Sequence, residues 1–284
     1  MLKTPPLRLI ALDIDGTLLD GRSRLPDANR LAVAAAAERG IEIALVTGRR
    51  YDFAVPVARQ IPCPITMIVN NGALVKSTDG TTHLSCRLPC EVARRVLSAT
   101  PQFRALASVC FDRVREHQVV FERIEWDDPL RGGYFERNRE FISQIFPLDD
   151  CLTEDPIQVM FTGSVEQSRE VERFLRLLPF SSEFSLAVTL YTERDFGLVD
   201  VLPPGCSKGA TLAEWVRLRG WSREAVMAIG DNLNDREMLE YAGLPVIMGN
   251  SVPELKILGW NQTLSNDEGG VAAAIHAYAL GSLA

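Results

Sequence analysis

The chain has 284 residues, enough for one large domain or two smaller ones, and its 46% hydrophobic and 24% charged content is that of a soluble globular protein. A formal net charge of −7 gives no bulk attraction to nucleic acid or anionic lipid, so neither is an expected partner. Residues 1–6 hold no signal-peptide core, and no apolar run approaches the ~20 residues of a membrane span; six cysteines without a C-x-x-C pair, beside three histidines, give no zinc pattern and fit a reducing cytoplasm.

An apolar run over residues 9–12 predicts a buried strand, with Gly16 in the turn after it. Side chains alternate along a strand, so Asp13 and Asp15 project to the same side at its C-terminal end. Ligands of open α/β sheets bind beyond that end. Two neighbouring carboxylates repel, and burying them requires a partner. A cation is the simplest one, and Mg²⁺ prefers oxygen ligands. Such a site draws in a phosphate ester and leaves one carboxylate to attack it.

A helix over residues 27–39 stops at Gly40 and is followed by a strand over 41–46 that ends in Thr47-Gly48-Arg49-Arg50. Strand–helix–strand is a βαβ unit, which lays the two strands in parallel and brings Thr47 near Asp13. A hydroxyl there donates to a phosphate oxygen. Arg49 either adds charge at the mouth of the site or is a solvated side chain. A helix over 52–60 and a strand over 65–69 lead to Asn70-Asn71-Gly72-Ala73, a turn signal, and then to a hairpin over 74–88.

The pattern changes over residues 88–196. Helix 89–99, strands 105–111 and 118–124, a turn at Asp127-Asp128-Pro129, a helix over 134–146 and a strand over 157–162 follow in turn. Ser164 and Gln167 form a capping box for a helix to 178. Strands 184–191 and 197–202 complete the order αββαβαββ, an insertion of about 110 residues, near a common domain size. Arg113, Arg115 and Arg123 lie on its first hairpin, where they meet a second anionic group or form a solvated face. The chemistry resumes with Lys208 in the first turn of a helix to about residue 219. A cation there is unfavourable against the helix dipole unless an anion binds beside it. A strand over 225–229 runs into Gly230-Asp231-Asn232-Leu233-Asn234-Asp235. Asp231 ends another parallel strand and completes a metal shell opposite Asp13; Asp235 reaches the metal through water or orients Lys208. A helix at 238–242, a strand at 244–248, a helix from 252 and a last helix to 280 close the chain.

The run Asp13-Ile14-Asp15-Gly16-Thr17 after an N-terminal strand resembles the first motif of the haloacid dehalogenase-like superfamily. Thr47 is similar to its second motif, Lys208 to its third, and Asp231 and Asp235 to its fourth. The form Gly-Asp-Asn-x-Asn-Asp, with the triplet Asn71-Gly72-Ala73, resembles the Cof-type phosphatases. The resemblance implies an α/β fold: a doubly wound parallel, Rossmann-like core (residues 1–87 and 197–284) with a smaller inserted α+β cap (88–196) that selects the substrate and moves on hinges near Arg87 and Phe196. It implies a Mg²⁺-dependent phosphatase of small phosphorylated metabolites, acting in the cytoplasm. Asp13 is then the nucleophile and Asp15 the acid and base. Thr47, Gly48, Lys208 and Asn234 hold the phosphate. Asp13, Asp231 and the Asp15 carbonyl hold Mg²⁺, with Asp235 behind them. A phosphomutase on sugar phosphates, or a non-catalytic regulator that binds a phosphometabolite, uses the same residues; oligomeric state is not encoded in any of these patterns.

Overall fold

The computed structural model describes residues 6–128 and 132–281. Most of the N-terminal stretch without a signal core, and Pro129 of the expected turn, lie outside the described residues. The chain divides into two compact units. One takes the residues up to Ser85 and again from Ser207; the other is Cys86–Cys206.

The first unit opens with β1 (Leu9–Leu12), α1 (Asp27–Glu38), β2 (Glu42–Val46), α2 (Tyr51–Ala58), β3 (Ile65–Val69), β4 (Leu74–Ser77) and β5 (Thr82–Ser85). The second unit holds α3 (Cys90–Ala99), β6 (Ala107–Cys110), β7 (Val119–Phe121), α4 (Gly132–Arg137), β8 (Ile142–Gln144), β9 (Gln158–Gly163), α5 (Val165–Arg176), β10 (Ser185–Tyr191) and β11 (Phe196–Leu202). The chain then returns through α6 (Lys208–Leu218), β12 (Val226–Gly230), α7 (Arg236–Tyr241), β13 (Leu244–Ile247), α8 (Pro253–Lys256), β14 (Asn261–Gln262) and α9 (Gly270–Ile275).

The sheet of the first unit has the order β14-β13-β12-β1-β2-β3-β4-β5. Its strands run parallel from β14 to β3, and the hairpin β4–β5 adds an antiparallel edge. Strand β1 lies between β12 and β2, in register Leu12↔Ile229 and Leu12↔Leu45. All four residues of β1 are fully buried, as the apolar run requires of a strand covered on both faces. Leu9 and Ala11 join Ala44, Val46, Val226 and Ala228 beneath Leu212 and Val216 of α6 and Met238 and Leu239 of α7. Helices α1 and α9 pack on each other outside that cluster. The expected doubly wound core is therefore present, with the two antiparallel strands that the hairpin at 74–88 anticipates.

The second unit is a six-stranded sheet, β10-β11-β9-β6-β7-β8, antiparallel except for the pair β7–β8. Two expectations are corrected here. Residues 197–202 belong to the second unit, as the order αββαβαββ has them and the boundary at 196/197 does not: β11 is hydrogen-bonded between β10 and β9, and the unit runs to Cys206. The alternating pattern of a strand does not say which sheet will hold it. The helix read over 134–146 also ends early, at Arg137. Asn138 closes it, its side-chain amide donating to the Tyr134 carbonyl, and Ile142–Gln144 then pair with β7. Tyr134, Phe135 and Ile142 satisfy helical spacing, yet Ile142 is buried beside Phe121 and Phe135 from a strand. The capping box at Ser164 is present: the Ser164 hydroxyl accepts from the Gln167 amide at 3.2 Å, and the Gln167 side chain accepts from the Ser164 amide at 2.9 Å. Arg113, Arg115 and Arg123 form ion pairs with Glu154, Glu140 and Glu125 at 2.6, 3.8 and 3.3 Å. Among the described residues no helix is long and apolar enough to cross a membrane.

Phe135 is fully buried, edge-on to Phe121 at 5.1 Å between centroids. Phe135→Ala is expected to destabilise the second unit by about 3–5 kcal/mol. Urea unfolding followed by circular dichroism measures this; a loss below ~1 kcal/mol contradicts the packing described.

Candidate active site

The site follows from the parallel register of three adjacent strands. The Asp13 amide donates to the Ile229 carbonyl at 3.0 Å, one step beyond the last β1–β12 pair, and the Thr47 amide donates to Ile68 at 2.8 Å just past β2. Asp13, Thr47 and Asp231 thus stand side by side at the C-terminal ends of β1, β2 and β12, the end at which such sheets bind ligands. Asp13, Thr47, Lys208, Asp231 and Asp235 are all buried.

Lys208 joins the group. Its Nζ donates to Asp13 Oδ1 at 2.6 Å and to Asp235 Oδ1 at 2.7 Å. Ser207 caps α6, its hydroxyl accepting from the Ala210 amide at 3.1 Å, and so fixes where Lys208 begins. Asp235 Oδ2 accepts from the amides of Asp231 and Asn232 at 2.9 and 3.0 Å. Both Asp235 oxygens are therefore committed to protein donors. Asp231 Oδ1 accepts from the Thr17 hydroxyl at 2.8 Å. A Cβ on Gly16, whose φ is +81°, would come within 2.4 Å of Asp231 Oδ2, so the turn after Asp15 needs glycine for both conformation and space.

Asp13, Asp231 and Asp235 can each present a carboxylate oxygen within 4.8 Å of the other two. Three buried carboxylates and one ammonium leave an excess of negative charge. Burial first, and then the charge of Asp235, push Asp13 up to about 7 although Lys208 acts the other way. Burial, followed by the charges of Asp13 and Asp235, raises Asp231 well above the usual carboxylate range. Burial opposes the Lys208 ammonium, but Asp13 and Asp235 outweigh it and keep it protonated. The site fits a hard cation bound by oxygen. Asp13 and Asp231 each keep one oxygen, Oδ2, without a hydrogen bond from the described residues, whereas Asp235 keeps none.

The phosphate-holding expectations divide. The Thr47 hydroxyl accepts from the Arg49 amide at 3.1 Å, which leaves its proton to donate outward. Asn234 donates to Asn71 Oδ1 at 3.0 Å, and the Cβ position of Gly48 lies 3.1 Å from that same oxygen. Asn71 is buried, has a positive φ of 51°, and its amide donates to the Thr47 carbonyl at 3.0 Å. It was legible as a turn residue; its contacts with the Thr47–Gly48 loop and with Asn234 were not. Arg49 is not a solvated side chain: it is 25% exposed and pairs with Asp15. Its Nε and Nη2 donate to Asp15 Oδ2 and Oδ1 at 2.7 and 2.6 Å.

The model of the haloacid dehalogenase-like hydrolase family matches residues 10–275. This chain belongs to that family. The chain is 30% identical over 251 residues to the HMP-PP phosphatase of Serratia proteamaculans, covering 88% of this chain and 87% of that protein. It is 28% identical over 281 residues to pyridoxal phosphate phosphatase YbhA of Escherichia coli (90% and 94% covered). It is 29% identical over 290 residues to the chloroplastic endoribonuclease YBEY of Arabidopsis thaliana, where it spans 97% of this chain but 47% of the other. Among solved structures, a haloacid dehalogenase-like hydrolase from Bacteroides thetaiotaomicron superimposes with a TM-score of 0.77 at 25% identity, covering 95% of this chain and 99% of that one.

Asp13 binds a proton up to about pH 7 in the metal-free fold but titrates near 4 in an unfolded chain. The fold then carries more protons than the unfolded chain between those values, so its stability falls as pH rises across that window. In EDTA, Tm is expected to drop from about pH 5.5 to about pH 7.5, and an added divalent cation to raise it more at the higher pH. Scanning calorimetry checks both; a cation effect independent of pH contradicts the charge arrangement.

Proposed function

We propose that this family member hydrolyses small phosphate monoesters through an aspartyl-phosphate on Asp13, with Mg²⁺ held by Asp13, Asp231 and the Asp15 carbonyl. The observation that carries the reading is the buried Lys208, bridging Asp13 and Asp235 beside Asp231. Mg²⁺ supplies neutralisation of phosphate charge and in-line orientation.

The chain's own residues do the rest. Lys208 orients the Asp13 carboxylate and stands ready for a phosphate oxygen, and Thr47 offers its hydroxyl proton. Asn234, Gly48 and Asn71 shape the wall beside them. In the first half-reaction Asp13 attacks phosphorus and Asp15 gives its proton to the leaving oxygen. In the second, Asp15 takes a proton from the water that breaks the aspartyl-phosphate. Asp235 holds Lys208 and the Asp231 amide in place.

Substrate selection falls, on this reading, to the inserted unit. Relatives carry the names HMP-PP phosphatase, pyridoxal phosphate phosphatase and 5-amino-6-(5-phospho-D-ribitylamino)uracil phosphatase, which supports a small phosphorylated metabolite as substrate. All six cysteines are free thiols, which supports a reducing, cytoplasmic setting.

Phosphate release from pyridoxal phosphate and a set of sugar phosphates, with Mg²⁺ or EDTA, tests the reading. Asp13→Asn is expected to abolish Mg²⁺-dependent release. Asp15→Asn is expected to slow it by ~10²–10⁴-fold. Ordinary turnover in either variant removes the mechanism. Release that requires a bisphosphorylated activator, with phosphate returned to the sugar, would make the protein a mutase.

A further inference from the structure

The proton relay assigned to Asp15 demands more of that side chain than ionisation chemistry. Its carboxyl must point at one oxygen of a bound ester. Asp15 stands in the turn after β1, at φ −86° and ψ 117°, and its side chain is 31% exposed, so burial does not fix its direction. Asp13 and Asp231 are aimed by buried Lys208 and Thr17; Asp15 has neither partner.

What holds it is Arg49. The guanidinium meets both carboxyl oxygens, Nε on Oδ2 and Nη2 on Oδ1, in a two-point geometry that a single ammonium cannot reproduce. The guanidinium is itself fixed. Nη1 donates to the Phe53 carbonyl in α2 at 3.1 Å, and the Arg49 backbone is tied at both ends, its amide to the Thr47 hydroxyl at 3.1 Å and its carbonyl to the Asn70 amide at 2.9 Å. The carboxyl thus gains its orientation from a rigid loop that also carries Thr47. We propose that Arg49 is the positioning residue of the acid–base carboxylate, and that it sets catalysis through the aim of Asp15 and not by binding phosphate. Each Asp15 oxygen keeps a second lone pair beside the one Arg49 occupies. One of them carries the proton that goes to the ester oxygen as the P–O bond breaks and the Asp13–phosphorus bond forms. The same oxygen takes a proton from water when the aspartyl-phosphate is cleaved.

This rests on the phosphatase reading, and the test separates the two. A nitrophenolate leaves without help from an acid, whereas a sugar alkoxide does not. kcat/KM is therefore measured on p-nitrophenyl phosphate and on glucose 6-phosphate, for the wild-type chain, Arg49→Gln, Arg49→Lys, Asp15→Asn and the double variant Asp15→Asn/Arg49→Gln. The ratio of kcat/KM for glucose 6-phosphate to that for p-nitrophenyl phosphate is expected to fall by about 10²-fold in Arg49→Gln. Lysine is expected to recover less than about tenfold of it. In the Asp15→Asn background, Arg49→Gln is expected to change the ratio by less than about threefold, since the group it aims is already gone. Equal losses on both esters would make Arg49 a phosphate ligand and overturn the proposal, as would an unchanged ratio or full recovery by lysine. Absence of Asp13-dependent release from p-nitrophenyl phosphate by the wild-type chain would instead defeat the phosphatase reading itself.

Discussion

A buried lysine shared by two buried carboxylates is the constraint on which the rest of this molecule depends. Lys208 Nζ sits 2.6 Å from Asp13 and 2.7 Å from Asp235, almost wholly out of water. Ions in such a place are tolerated only where each has partners on every side. The backbone amides that bind Asp235, the Thr17 hydroxyl on Asp231 and the capped start of α6 supply them. Among the described residues, Asp13 and Asp231 are left short of positive charge, and that deficit suits the site to a cation.

The fold meets this constraint with a parallel register and with small residues. Strands β12, β1 and β2 end together, so residues far apart in sequence arrive within contact without any long loop. Gly16 leaves room for Asp231, and Gly72 lets the Asn70–Gly72 turn lie against the Ser207 carbonyl, where a Cβ would stand 2.3 Å away. The Thr211 hydroxyl donates to the Gly72 carbonyl at 2.8 Å and ties the start of α6 to the end of β3. Chemistry and packing are therefore set by the same few backbone positions.

Much of this was legible in the chain, for local reasons. An apolar run fixes a strand and a βαβ unit fixes its neighbour, so Asp13, Thr47 and Asp231 could be grouped before any coordinates, whereas Asp15 lies in the turn past the end of β1, where strand alternation no longer fixes its side. Lys208 was legible as a cation misplaced at a helix N-terminus. What could not be read was the direction of long side chains and the point at which the second unit ends. The sequence does not say which way Arg49 turns from its loop; the Phe53 carbonyl and the two Asp15 oxygens decide it. Asn71 announced a turn but not its bond to Asn234, 163 residues on. Strand β11 closes the order αββαβαββ, yet nothing local marks where the chain leaves the second unit, at residue 206 and not at 196. The apolar spacing at Tyr134–Ile142 suits a helix until Asn138 ends it.

Covalent attack by Asp13 is the central step of the proposed reaction, and one measurement addresses it directly. An Asp15→Asn chain, slow to release phosphate, is mixed with Mg²⁺ and p-nitrophenyl phosphate, quenched with borohydride and digested for mass spectrometry. Reduction of an aspartyl-phosphate converts the residue to homoserine. Homoserine at position 13, absent without Mg²⁺ or ester, is the predicted result. Nitrophenol release with Asp13 unmodified, or with the label at another carboxylate, would contradict it.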